Sequence, residues 1–230
     1  MSKRSEIVDG LTASSSKSGL IYSEVLGWVD LGHAQGDDIR KLLPQFAAGE
    51  SGGKPYYDVK YFQDMQKFRK RVGTSKYTVW RIKKGVSRSE QFSIALAMMM
   101  KVAYRFEGLQ GGFPFNFFTD SGFSGEDLVS DLLGFYRVVD GIHYLSELKP
   151  VNRDEALKRW DFYGPIGMFK NESFRPLLFP DPELNPNARP YLGVLPAFMM
   201  RIKPYASVPS ERVDIVIDDG TGWHLKFSGG

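Results

Sequence analysis

One stretch, Ser87 to Gly108, constrains this chain more than any other. Its middle, Gln91 to Phe106, reads Gln-Phe-Ser-Ile-Ala-Leu-Ala-Met-Met-Met-Lys-Val-Ala-Tyr-Arg-Phe. It is apolar nearly all round, and a helix apolar on every side belongs inside a domain. Ser87 followed by Glu90 forms a capping box that starts this helix, and Gly108 marks its stop. A buried rod over about 88–107 therefore ends in the carboxylate of Glu107.

After Glu107 comes a Gly-rich, aromatic-rich loop, Gly108-Leu-Gln-Gly-Gly-Phe-Pro-Phe-Asn-Phe-Phe118. A carboxylate against aromatic rings is poorly solvated, so its pKa rises and it can hold a proton near neutral pH for a leaving group. The plainer reading is a solvated helix-end residue, or one paired with Arg105 or Lys101.

At 230 residues the chain can bury one substantial core. No run reaches the ~18 apolar residues that a membrane span requires, and the basic N-terminus, Met1-Ser-Lys-Arg, is followed by no apolar segment of the secretory kind. The absence of cysteine excludes disulfides, thiolate zinc sites and a cysteine nucleophile. A net charge of +3 is too small to argue for nucleic acid. The charge is uneven, however: residues 60–88 carry ten Lys and Arg, and that basic segment reads either as a solvated sheet face or as a surface for an acidic partner.

In chain order, residues 1–18 read as a flexible polar leader and 19–230 as a single domain. Tyr22, Val25, Leu26 and Val29 recur at helical spacing, which puts Asp30 and His33 on one side of that helix. Asp37 or Asp38 caps a second helix with Ile39, Leu42, Leu43 and Phe46 on its stripe. A β-hairpin is expected over about 57–84, with its turn at Gly73-Thr-Ser. Ser124 with Asp127 and Asn152 with Glu155 each open a further helix. Nine prolines make 164–209 a wrapping segment with a short helix near Ala197, and alternation around Asp219-Gly220 predicts a terminal hairpin over about 212–227. The fold class is α+β: a mainly helical single domain around the 88–107 helix, with small hairpins.

Two constellations can carry chemistry. Asp30, His33 and Glu107 can form an acid/base set or a mixed nitrogen and oxygen metal site, though with one histidine the metal reading is weak, and a buried, hydrogen-bonded Asp–His pair holding two helices is the larger alternative to it. The acidic residues Asp120, Glu126, Asp127 and Asp131 lack the calcium-loop pattern, and helix capping accounts for Asp127. Asp120 differs, because a short hairpin would return it to face Glu107. A protonated acid opposite a second carboxylate is the requirement for glycoside hydrolysis. Tyr104, Phe113, Phe115 and Phe117 would wall such a cleft and stack on sugar faces, or all belong to the core. The sequence has no Walker loop, dinucleotide fingerprint, Gly-x-Ser-x-Gly elbow or His-Glu-x-x-His.

Gly27-Trp-Val-Asp-Leu-Gly-His33 and Gly122-Phe-Ser-Gly-Glu-Asp-Leu-Val-Ser-Asp-Leu-Leu-Gly134 resemble segments of a bacterial family of uncharacterised, mostly exported proteins, which tends to place a Glu where this chain has Glu107. The likeness spans Gly19 to Val139. The layout is also similar to the lysozyme superfamily, including wall-degrading antibacterial effectors exported without signal peptides. That resemblance implies muramidase-like chemistry on peptidoglycan with Glu107 as the acid. With it we expect no cofactor and delivery to the periplasm, and the basic segment 60–88 would attract the anionic wall or an acidic immunity protein. The rivals are a metal-assisted wall amidase built on Asp30, His33 and Glu107, and a non-catalytic binder using residues 60–88.

Overall fold

The computed structural model describes residues 2–67, 72–110 and 124–225, with side chains described over 2–63, 75–105 and 124–222. The fold is α+β. Its contacts gather into two compact units where the sequence leads one to expect a single one: residues 1–36 with 107–201, and residues 37–106 with 202–230.

The first unit opens with residues that are not a loose leader. Ile7 and Ala13 are buried, Val8 N–H donates to the Leu20 carbonyl, and Arg153 Nε donates to the Ile7 carbonyl. The polar composition of 1–18 hides a few anchors, and Ile7 alone joins a core of Leu20, Tyr22, Trp28, Trp160 and Phe179.

Next, the helix expected over 22–33 is a hairpin, β1 (Leu20–Ser23) paired antiparallel with β2 (Gly27–Asp30). Two local features override the helical spacing. Ser23 Oγ accepts from the N–H groups of Val25 and Leu26, which is turn chemistry. Gly27 then sits at φ +72°, a left-handed conformation that costs most other residues strain.

The sheet is completed by β5 (Leu177–Leu178) and β6 (Tyr191–Leu192) from the proline-rich segment, in the order β1-β2-β5-β6. Helix α3 (Asp127–Asp140) is buried at every residue from Leu128 to Arg137. Ser124 is not its cap: the Ser124 hydroxyl donates to the buried Glu126 carboxylate, and Glu126 takes the N-cap position. Helix α4 (Arg153–Tyr163) starts as expected, with the Asn152 side chain accepting from Glu155 N–H.

In the second unit, α1 (Asp37–Ser51) buries Ile39, Leu42 and Phe46 as its stripe predicts. Strands β3 (Tyr56–Lys67) and β4 (Val72–Lys83) form the expected hairpin, but Gly73-Thr-Ser lies within β4 and the connection falls between Lys67 and Val72. The terminal hairpin is a correction of a larger kind. Residues Val213–Leu225 are one strand, β7, which pairs along β4 and makes the order β3-β4-β7.

The Asp219-Gly220 turn signal is overridden by partners. Lys76 Nζ meets Asp219 at 2.8 Å and Arg105 meets Asp218 at 2.8 Å, with Lys101 on the same carboxylate. Gly220 lies opposite Tyr77, whose ring would be 2.3 Å from any side-chain carbon there. On the outer edge of β3 the Gln45 amide both accepts from Lys60 N–H, at 2.8 Å, and donates to the Lys60 carbonyl, at 2.9 Å.

Helix α2 (Arg88–Gln110) starts in the predicted capping box, with Ser87 N–H donating to Glu90 and Glu90 N–H to Ser87 Oγ. It buries Ile94, Ala95, Leu96, Met98, Met99, Val102 and Ala103. It does not stop at Gly108 but continues to Gln110. No described helix is long and apolar enough to cross a membrane.

Candidate functional site

The segment around Asp30 and His33 meets helix α3 in the first unit. Asp30, the last residue of β2, sends its N–H to Ser130 Oγ on α3, at 3.0 Å. Its Oδ1 accepts from the N–H groups of Gly32, at 2.7 Å, and His33, at 3.2 Å, which folds the chain into the 3-10 turn His33–Gln35. Arg137 clamps the other side of the turn by donating to the Ala34 carbonyl, at 2.7 Å.

The turn can approach α3 this closely because of two glycines. Gly36 sits at φ +68°, and a side-chain carbon there would begin 2.4 Å from the Gly134 carbonyl oxygen. One on Gly134 would begin 2.8 Å from the His33 carbonyl oxygen. The turn and α3 thus each supply the bare backbone that the other packs against.

This packing delivers His33 to Asp131. Nδ1 of His33 lies 2.9 Å from Asp131 Oδ1, and the Asp131 side chain is 8% exposed against 37% for His33. Burial opposes the imidazolium, but the charge and hydrogen bond of Asp131, with Asp127 and Asp30 adding to them, hold the His33 pKa well above its ordinary value. Asp131 thus favours the protonated, proton-donating form of the ring. With Nδ1 committed to Asp131, Nε2 is the nitrogen left for a substrate or ligand.

The sequence reading pairs Asp30 with His33 on a helix; the structure pairs them through the backbone and gives the ring to Asp131. Asp131 falls in the acidic cluster of which capping accounts for Asp127 alone, and nothing in its spacing reveals a link to His33.

The remaining candidates divide differently. Residues 107–110, the end of α2, belong to the same unit as His33. The Glu107 side chain, Phe113, Phe115, Phe117 and Asp120 lie outside the described residues. Tyr104 stands 45% exposed on α2. His143 is exposed, and its pKa is lowered by partial burial and by Arg137. Among the described residues no group of three or more His, Asp or Glu is arranged to hold a metal ion. No protein-family model, curated protein or solved structure matches the chain.

A pH dependence follows from the His33 environment. A folded pKa above the unfolded one gives stability that is fully present below the unfolded value, about 6.5, and is lost as pH rises through the folded value. An NMR titration of the ring should place its midpoint above that of free histidine, and Asp131→Asn should move it down and flatten the loss of stability on raising pH. An unmoved midpoint in Asp131→Asn would show that Asp131 does not set it.

Proposed function

We propose that the chain is a peptidoglycan glycan-strand hydrolase acting as an antibacterial effector, its proton chemistry located where the two motifs meet. The observation that carries this reading is the His33–Asp131 pair, built from both motifs, in the unit that also contains the backbone of Glu107. In this reading α2 is the central helix of a mainly helical chain and delivers Glu107 as the acid that protonates the glycosidic oxygen. Asp120 is the second carboxylate, which stabilises developing positive charge or activates water. Cationic His33 donates from Nε2 to a carboxylate or sugar oxygen, and Tyr104, Phe113, Phe115 and Phe117 stack on sugar rings. The protein reaches the periplasm without a classical signal peptide, and an acidic immunity protein restrains it in the producing cell.

A second reading has its own support. A histidine whose Nδ1 is oriented by a carboxylate, leaving Nε2, is the usual arrangement of a metal-ligating histidine, which suits the metal-assisted amidase. The non-catalytic binder has less behind it, because Lys76 and Arg81 of the basic segment are already held by Asp219 and Asp58.

Purified peptidoglycan incubated with wild type and with Glu107→Gln, the soluble fragments identified by mass, separates the three. Release of new reducing ends by the wild type alone supports the glycosidase. Chelator-sensitive release of free peptides supports the amidase, and no release from either protein supports the binder.

A further inference from the structure

The second unit holds a groove that the chemistry above does not use. A solvent-open cleft of about 650 Å³ lies between the end of α1 and the start of β3, and a second of about 470 Å³ lies where β7 begins. Tyr56 and Arg81 line both, so the two clefts meet at this pair.

Tyr56 is the first residue of β3 and is 45% exposed. An aromatic ring left half in water at the junction of two clefts offers a flat apolar face with a polar tip. Beside it Arg81 forms a bidentate pair with Asp58, Nε to Oδ1 at 2.8 Å and Nη2 to Oδ2 at 3.0 Å. Such a planar pair keeps spare N–H donors on one side and spare carboxylate lone pairs on the other.

The charges narrow the ligand class. Lys54, Arg81 and Arg212 face Asp58, Glu211 and Asp214, so cations and carboxylates balance along the groove. Arg212 is in addition tied to Glu90 at 3.1 Å. An anionic or cationic ligand gains no net attraction here, whereas a ligand with many hydroxyl and amide groups uses donors and acceptors alike. A pyranose ring presents axial C–H bonds on its faces and hydroxyls round its rim, which matches a tyrosine flanked by an arginine–carboxylate pair. Two clefts of about 650 and 470 Å³ that share Tyr56 and Arg81 offer room for more than one sugar.

We propose that the groove around Tyr56, Arg81 and Asp58 is a binding site for an uncharged oligosaccharide chain, with Tyr56 as its stacking platform. Naming that chain as wall glycan rests on the function proposed above; the preference for a neutral polyhydroxylated ligand does not.

The test is titration of the full chain with the β-1,4-linked hexamer of N-acetylglucosamine, in the Glu107→Gln background so that the probe is not consumed. Tyr56→Ala should weaken binding about tenfold, while Tyr56→Phe, which keeps the ring, should change it less than about twofold. Arg81→Lys, which keeps the charge but loses the fork, should weaken it by about fivefold. Unchanged unfolding midpoints show that these exposed substitutions leave the fold intact.

Absence of hexamer binding, or binding indifferent to Tyr56→Ala, overturns the site, as does displacement of the hexamer by inorganic phosphate. The two proposals fail separately. Tyr56-dependent binding without release of wall fragments by the wild type sinks the hydrolase and leaves the groove, and the opposite result sinks the groove alone.

Discussion

Replacing Glu107 by glutamine is expected to slow release of reducing ends from peptidoglycan by about a thousandfold, the middle of the range over which a positioned general acid contributes. Glutamine keeps the length and shape of the side chain and removes only the transferable proton. Both residues are good helix formers, so α2, which continues past this position to Gln110, should keep its stability. The measurement is the initial rate of reducing-end formation for matched wild type and variant, with thermal unfolding as the control for the fold. A variant within threefold of wild type would rule out Glu107 as the acid and shift the chemistry to His33 or to a bound metal. Chelation then decides between those two.

The second large effect is on stability. Gly36→Ala should cost about 3 kcal/mol, since a non-glycine residue in the left-handed region loses roughly 1–2 kcal/mol and overpacking against a rigid neighbour adds about 1–3 kcal/mol. The rigid neighbour is backbone, the Gly134 carbonyl oxygen 2.4 Å from the new carbon, which cannot rotate aside as a side chain would.

Gly141 provides the internal control. It has the same φ of +68° and nothing within 4 Å of the added carbon, so Gly141→Ala should show the conformational cost alone. Denaturant unfolding of the two variants separates the effects. Equal losses would mean that the turn ending at Gly36 and α3 do not approach as closely as Gly36 and Gly134 allow. Gly36→Ala should also disturb the His33 ring titration, because the turn that carries His33 ends at Gly36.

Elements with strong local chemistry were legible from the amino acids. The Ser87/Glu90 box, the Asn152 cap and the Ile39, Leu42 and Phe46 stripe each rest on residues a few positions apart, and each stands where expected. What failed depended in part on a local turn, at Ser23 and Gly27, and otherwise on distant partners. Tyr22, Val25, Leu26 and Val29 fit a helix by spacing, but the Tyr22 hydroxyl is placed by the Phe179 backbone, accepting its N–H and donating to its carbonyl. The Asp219-Gly220 signal lost to Lys76, Lys101, Arg105 and the ring of Tyr77, none of them nearby in sequence. Ile7 looks solitary in a polar segment and is counted as core only once Leu20 lies beside it.

The candidate site divides along the same line. His33 is a candidate from its own neighbourhood in the sequence, whereas Asp131 is separated from it by 98 positions, and only the approach of α3 to the turn reveals the pair.

The bond pair between Gln45 and Lys60 has a further meaning for how the molecule behaves in a crowded solution. A border strand with open amide groups invites a neighbouring molecule to dock and continue the ladder, which is how many sheets begin to stack into insoluble fibres. Here one carboxamide from a helix of the same chain occupies the rung at Lys60, imitating the peptide group of an absent strand. A single side chain thus interrupts intermolecular growth at that border, and a Gln45→Ala protein should scatter light sooner on concentration while folding to the same structure.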